Sequence, residues 1–323
     1  MGNVLFSAAR ASYLSLNLLG RDRLKRMVEG DLVNAIKVLS ETGFGVGSSV
    51  GDGGAGIDAL IERERSKLAE FIRTSAPDNA IKQYFLLPYD FRNAETLVKA
   101  KFLKIAPTTN SFGTIDEKTL KDRIFADEYK GLPANMAIAL SAADRLFAEG
   151  NADGYKINVL FVKALYEDLF ALKTDKRLKD MLAEKADMAN VGIALRTRNY
   201  ERAKNQFVKR GYLSENDLRT LCESDLAELP EKFGFSRYKE EIVAAVNGLE
   251  KDKSLKEFER ISDGYAAKMM NKERYSSEGA TPFIRYCVYK FADVQNAGII
   301  LTGLSAGLTR EEITSRIREH YEG

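Results

Sequence analysis

Apolar residues recur along this chain at helical spacing almost without interruption. Ile57-Asp58-Ala59-Leu60 opens a charged amphipathic run that continues through Leu68 and Phe71-Ile72. The stretch from Pro133 to Ala148 is alanine-rich and apolar at i, i+3 and i+4, and Val159 to Leu172 repeats that pattern. Such periodicity predicts amphipathic helices packed on a shared core. No Asn-Gly pair stands between alternating flanks, so the sequence carries no hairpin signal. Pro282 after Thr281 reads as a helix start, and Pro88 reads as another.

Within this helical background three segments share one register. Asp90 and Asn93, Asp187 and Asn190, and Asp293 and Asn296 are each Asp-x-x-Asn. Apolar residues sit one, four, seven and eight positions after each Asp. They are Phe91, Ala94, Leu97 and Val98, then Met188, Val191, Ala194 and Leu195, then Val294, Ala297, Ile300 and Leu301. The asparagines lie 97 and 106 residues apart. A glycine and a helix-capping residue follow each copy: Gly113 with Asp116, Gly211 with Ser214, and Gly307 with Thr309. The last pairing, with Glu312, has the form of a capping box. Three helical units of about 100 residues follow, a usual domain size. Their expected spans are 1–115, 116–215 and 216–323, with the N-terminal helices able to pack against the third unit.

At about 100° per residue each motif Asp falls inside the apolar stripe and each Asn at its edge. A carboxylate there requires hydrogen bonds or a partner charge. Three copies at one angle point to a recurring structural bond rather than to a catalytic group. On the opposite face, Arg92 and Glu95 of the first copy are replaced by Ala189 and Gly192, then by Gln295 and Gly298. The sequence therefore predicts that the second and third helices are packed on both sides, glycine allowing close approach.

Composition narrows the function. Forty-nine Lys and Arg against 47 Asp and Glu leave a net charge of +2, without the basic excess of a nucleic-acid partner. Six prolines and no tryptophan suit long helices. Cys222 and Cys287 are not at metal-ligand spacing and are expected as thiols of a reducing compartment. No segment approaches the roughly 20 apolar residues of a bilayer span, and no signal peptide is evident, so membrane association is expected through partners only. Gly51-Asp52-Gly53-Gly54-Ala55-Gly56 fits G-x-G-x-x-G, but neither a strand nor a P-loop lysine accompanies it, and the stretch 43–56 reads as a glycine-rich loop. His320, the single histidine, cannot build a triad or a multi-histidine metal site and is expected solvated in a last helical turn. The basic residues Arg21, Arg23, Lys25 and Arg26 read as a solvated helix start, with anionic lipid or a partner as the alternative. No catalytic, cofactor-binding or metal-binding residue is assigned.

The motifs together resemble the C subunit of V-type and archaeal-type ATPases, the homologue of the d subunit of eukaryotic V-ATPases. The resemblance is carried by Leu18 to Leu24, by Leu87-Pro88-Tyr89-Asp90-Phe91-Arg92-Asn93, by Asp187-Met188-Ala189-Asn190 with Leu195 to Arg198, and by the run from Pro282 through Gly307-Leu308-Thr309 to Tyr321. Where the family usually has Glu near Asp293 and a basic residue near Gln295, this chain departs from it. The resemblance implies an all-α fold of three pseudo-threefold-related helical domains forming a funnel. It implies a single non-catalytic copy on the cytoplasmic face of the membrane, joining the D and F subunits of the central stalk to the proteolipid ring during proton or sodium ion transport. Arg92, Lys99, Arg196 and Arg198, on or near the non-core side of their helices, are candidate contacts to those partners. The competing reading is an unrelated helical-repeat adaptor, whose periods of roughly 20–50 residues are shorter than the spacing here; an all-helical enzyme would need a cleft of perturbed titrating groups.

Overall fold

A computed structural model describes residues 2–45 and 54–321, and every regular element among them is helical. In chain order the helices are α1 (Gly2–Ser15), α2 (Gly20–Glu29), α3 (Leu32–Ser40), α4 (Gly54–Ser75), α5 (Asn79–Leu103) and α6 (Glu117–Phe125). Next come α7 (Ala134–Ala148), α8 (Gly154–Ala171), α9 (Lys176–Thr197), the short α10 (Tyr200–Ala203), α11 (Glu215–Glu223) and the short α12 (Leu229–Lys232). The chain ends with α13 (Lys239–Asp252), α14 (Lys256–Lys272), α15 (Thr281–Ser305) and α16 (Arg310–Thr314). The fold is all-α.

The helix starts follow their caps. Asp116 accepts from the Thr119 N–H, and Ser214 and Thr309 form reciprocal capping boxes with Asp217 and Glu312. The helix expected from Val159 begins earlier, at Gly154, because Asp153 accepts from the Lys156 N–H. Pro282 stands in the first turn of α15 as expected. Pro88, by contrast, lies inside α5 rather than at its start. Its missing N–H breaks one backbone bond, yet Leu86, Leu87, Asp90 and Phe91 around it are all buried, so packing holds the helix through the break.

Two compact units arise from the chain. Residues 1–78 and 243–323 form one, and residues 79–242 form the other. In the second unit, Phe91, Ala94, Leu97 and Val98 of α5 share a core with Leu120 of α6, Leu140 of α7, Phe161 of α8 and Ala186 of α9. In the first, Val294, Ala297, Ile300 and Leu301 of α15 pack with Leu24 and Met27 of α2, Val38 of α3 and Leu60 of α4. All twelve apolar positions that follow the three motif aspartates are buried.

Some local expectations change. Of the glycine-rich stretch 43–56, residues 46–53 lie outside the described residues. Gly43 and Gly45 turn the chain with φ of 72° and 73°, and Gly56 belongs to α4. The element preceding this stretch is the helix α3, not a strand. A Cβ on Gly298 would meet Ile61 at an ordinary 3.8 Å, so that glycine does not serve close approach; Gly303, further along α15, does, since a Cβ there would lie 2.7 Å from Ile313 Cγ1. His320 follows α16 in a tail without regular structure, half-buried, instead of closing a helix.

Candidate functional site

The three Asp-x-x-Asn pairs lie inside the long helices α5, α9 and α15, and each fastens a distant backbone segment to its helix. The asparagines act alike. Asn93 donates to the Asn110 carbonyl at 2.7 Å and accepts the Asn110 N–H at 3.1 Å. Asn190 pairs in the same reciprocal way with Val208, at 2.8 Å in both directions. Asn296 donates to the Arg318 carbonyl at 3.1 Å and accepts its N–H at 2.8 Å. A side-chain amide thus takes both polar groups of one peptide-bearing residue, which a loop crossing a helix must otherwise leave unsatisfied. The asparagines are as deeply buried as the aspartates, not at the stripe's edge, because the returning segment covers them.

The aspartates divide. Asp90 accepts the Thr114 N–H at 2.8 Å, the Thr114 hydroxyl at 2.6 Å and the Ile115 N–H at 3.0 Å. Asp187 accepts the Tyr212 N–H at 2.6 Å, the Leu213 N–H at 3.2 Å and the Tyr238 hydroxyl at 2.6 Å. In both copies the bound peptides lead directly into the capped helices α6 and α11. The preceding glycines are obligatory: a Cβ on Gly113 or Gly211 would stand 1.9 Å from a carboxylate oxygen of Asp90 or Asp187. Burial pushes the Asp187 carboxyl up, against the pull of Tyr238 and the two N–H donors. Burial, with that same bond, pushes the Tyr238 phenol up.

Asp293 breaks the pattern. Its Oδ2 accepts the N–H of Leu19 at 2.9 Å, 274 residues away, and its buried Oδ1 has no hydrogen-bond partner. Burial pushes this carboxyl up to about 7 despite Lys290, the Leu19 N–H and Arg23. Gly307, matched in sequence with Gly113 and Gly211, instead ends α15. It adopts φ +70°, its N–H bonds to the Leu304 carbonyl, and the Leu308 N–H bonds to the Gly303 carbonyl. That is a Schellman cap, a use of glycine unrelated to a carboxylate.

The other candidate positions are spread over separate helices. Arg92 and Arg196 are exposed on α5 and α9. Lys99 is half-buried and paired with Glu95 at 2.5 Å. Arg198 caps α9 in the left-handed region at φ 48° and donates to the carbonyls of Leu221 and Ser224 at the end of α11. Sequence reasoning missed Glu64, which is 2% exposed on α4. It accepts the Gly45 N–H at 2.8 Å and pairs with Lys67 at 2.7 Å and Lys290 at 3.1 Å. Burial alone would raise this carboxyl, but Lys290, the Gly45 N–H and Lys67 outweigh it and hold it below the usual range. Nothing in the alternating charges of 62–67 marks this one as internal. Cys222 and Cys287 are buried free thiols. Among the described residues, no three His, Cys, Asp or Glu side chains converge as metal ligands would, and no helix is long and apolar enough to cross a membrane.

The fold and its clamps define an all-helical protein whose shared polar motifs fasten the chain to itself rather than face a ligand. The sequence profile of the ATP synthase (C/AC39) subunit matches residues 7–316, and the chain belongs to that family. It is similar to the C subunit of the V-type sodium ATPase of Enterococcus hirae, 19% identical over 318 residues that cover 95% of each chain.

Proposed function

We propose that this chain is the non-catalytic rotor subunit that couples the central stalk of a rotary V-type ATPase or ATP synthase to its membrane proteolipid ring. The observation that carries this reading is the family match across nearly the whole chain, which extends to the C subunit of a V-type sodium ATPase over 95% of both lengths. The clamps support it physically. A part that transmits torque must resist shear between helices, and close-packed interiors have low compressibility. Reciprocal amide pairs and buried carboxylates add directional bonds at the points where loops cross α5, α9 and α15. All six motif side chains are buried, and except for Asp293 Oδ1 their polar atoms are engaged in that task.

In this reading, one copy sits on the cytoplasmic face of the membrane, held there by the proteolipid ring, and receives the D and F subunits of the stalk. The chain is divided into three pseudo-threefold-related helical domains forming a funnel, near 1–115, 116–215 and 216–323. Arg92, Lys99 and Arg196 are the first candidates for partner contact. Arg198 enters that set with its guanidinium already engaged on α11, so its replacement tests stability as well as docking.

The test is a complex rebuilt with and without this chain. Hydrolysis of ATP by the catalytic head persists in both, while ATP-driven ion uptake into vesicles falls to background when the chain is left out. Combined charge reversal at Arg92, Lys99 and Arg196 weakens assembly more at low salt than at high salt, since rim charges steer encounter and salt screens them. Normal ion transport per ATP without the chain would overturn the reading.

A further inference from the structure

The start of α2 has an electrostatic character that the coupling role does not use. Gly20 opens the helix at φ +60°, and the residue before it, Leu19, provides no side-chain cap. The first N–H groups of a helix have no intrahelical acceptor and carry the positive end of its dipole. Around this helix end lies a cavity of about 890 Å³ lined by Arg21, Arg23 and Arg26 of α2, by Arg274 after α14 and by Arg285 of α15, with Asp22 the one carboxylate among its lining residues. Every one of these residues belongs to the unit built from 1–78 and 243–323.

Arg26 is paired with Glu41 through two contacts at 2.9 and 3.1 Å. Arg285 donates to the Glu273 and Ser276 carbonyls at 2.9 and 2.8 Å, and Arg23 donates to the Leu18 carbonyl. Carbonyl acceptors satisfy N–H groups and orient a guanidinium without themselves bringing a neutralising charge, although Arg23 also lies in the field of Asp293 and Glu41. Arg21 is exposed at the mouth. A concave site in which one sign of charge predominates, here five arginines against Asp22, focuses its field inward. Guanidinium forks match tetrahedral oxyanions bidentately, and an uncapped helix N-terminus offers further N–H donors to the same ligand. The volume lies within the roughly 300–1,000 Å³ of ordinary small-ligand pockets.

We infer that this cavity binds a phosphate-bearing anion, either a free phosphate compound or the headgroup of an anionic phospholipid. Cationic groups contributed from three separate segments favour a ligand with several oxygens over a single carboxylate, which one fork satisfies. The inference rests on this cavity alone and stands apart from the coupling role.

Full-length protein is titrated with pyrophosphate by calorimetry and sedimented with vesicles of phosphatidylglycerol or of phosphatidylcholine. Pyrophosphate binding without vesicle sedimentation assigns a free phosphate ligand. Sedimentation with phosphatidylglycerol alone, relieved by pyrophosphate, assigns a headgroup. In either case Arg21→Gln weakens binding severalfold and Arg21→Gln with Arg274→Gln weakens it at least tenfold. Arg63→Gln, an equal charge change on the exposed face of α4, leaves binding unchanged. Arg21 is exposed, so its single variant reads the site even where the double variant loses helicity. Absence of binding by both probes, or equal weakening by Arg63→Gln, would overturn the inference.

Discussion

Three aspartates that occupy one register in sequence differ in what surrounds them, and the difference is measurable. Asp90 and Asp187 each receive at least three donors, whereas Asp293 receives one and keeps an unbonded buried oxygen. With Asp293 raised to about 7 in the folded protein and near 3.9 when unfolded, the native state holds a proton that the unfolded chain has released. Stability from this residue is therefore complete at acid pH and falls as pH rises from about 4 through about 7. Asp293→Asn keeps an acceptor for Leu19 and removes the titration. Urea unfolding at several pH values is expected to show the variant gaining on the wild type across that interval; parallel curves would contradict the assignment. The glycines make a second residue-scale prediction. Gly211→Ala drives a methyl group into Asp187 and displaces the Tyr212 N–H. It should cost roughly 1–3 kcal/mol, the usual penalty for a buried polar group left unpaired, read as a lower urea midpoint; an unchanged midpoint would mean that the loop relaxes freely.

At the scale of elements, the long helices serve as spines on which shorter helices and loops are fixed by few, specific contacts. The end of α9 is tied to the end of α11 by Arg198, whose cationic head meets the last carbonyls where the helix dipole is negative. The end of α15 meets α16 through Gly303 and Ile313, backbone against side chain. Gly303→Ala should therefore overpack this contact, at a cost of roughly 1–3 kcal/mol. Ile313→Ala alone should also destabilise, by about 2–5 kcal/mol. In combination the loss of Cγ1 and Cδ1 makes room for the new methyl group, so the double variant should cost less than the sum of the two singles. Thermal melts of the two singles and the double measure this, and simple additivity would show that the two residues do not share the space.

For the whole molecule, the unit formed by 1–78 and 243–323 is discontinuous in sequence, whereas 79–242 is one stretch. The asymmetry predicts a difference in autonomy. Residues 79–238, made alone, keep α5 through α12 and their shared core, and should give a helical circular-dichroism spectrum and a cooperative urea transition. Residues 1–78 alone should not, because Leu24, Met27, Val38 and Leu60 lose the α15 residues on which they pack. Independent folding of both pieces would show that the N-terminal helices need no partner from the C-terminal third.

Helical class, the three spines and their buried apolar faces were all legible along the chain, because side-chain periodicity is a property of neighbours within one or two turns. The motif aspartates were legible as buried polar groups needing partners for the same reason, whereas the asparagines read only as lying at the stripe's edge. Which partners they take was not legible. In the first two copies the bound peptides lie within 17 to 26 residues of the motif, close enough for the following glycine and cap to mark them. In the third, the nearby Gly307 is spent on ending α15, and the carboxylate reaches back to Leu19 at the other end of the chain. The arginines of residues 21–26 likewise read as a solvated helix start until the fold sets Arg274 and Arg285 beside them. Local spacing encodes which face of a helix is covered, but the identity of the covering segment depends on how distant pieces pack, and that pairing has no periodic signature.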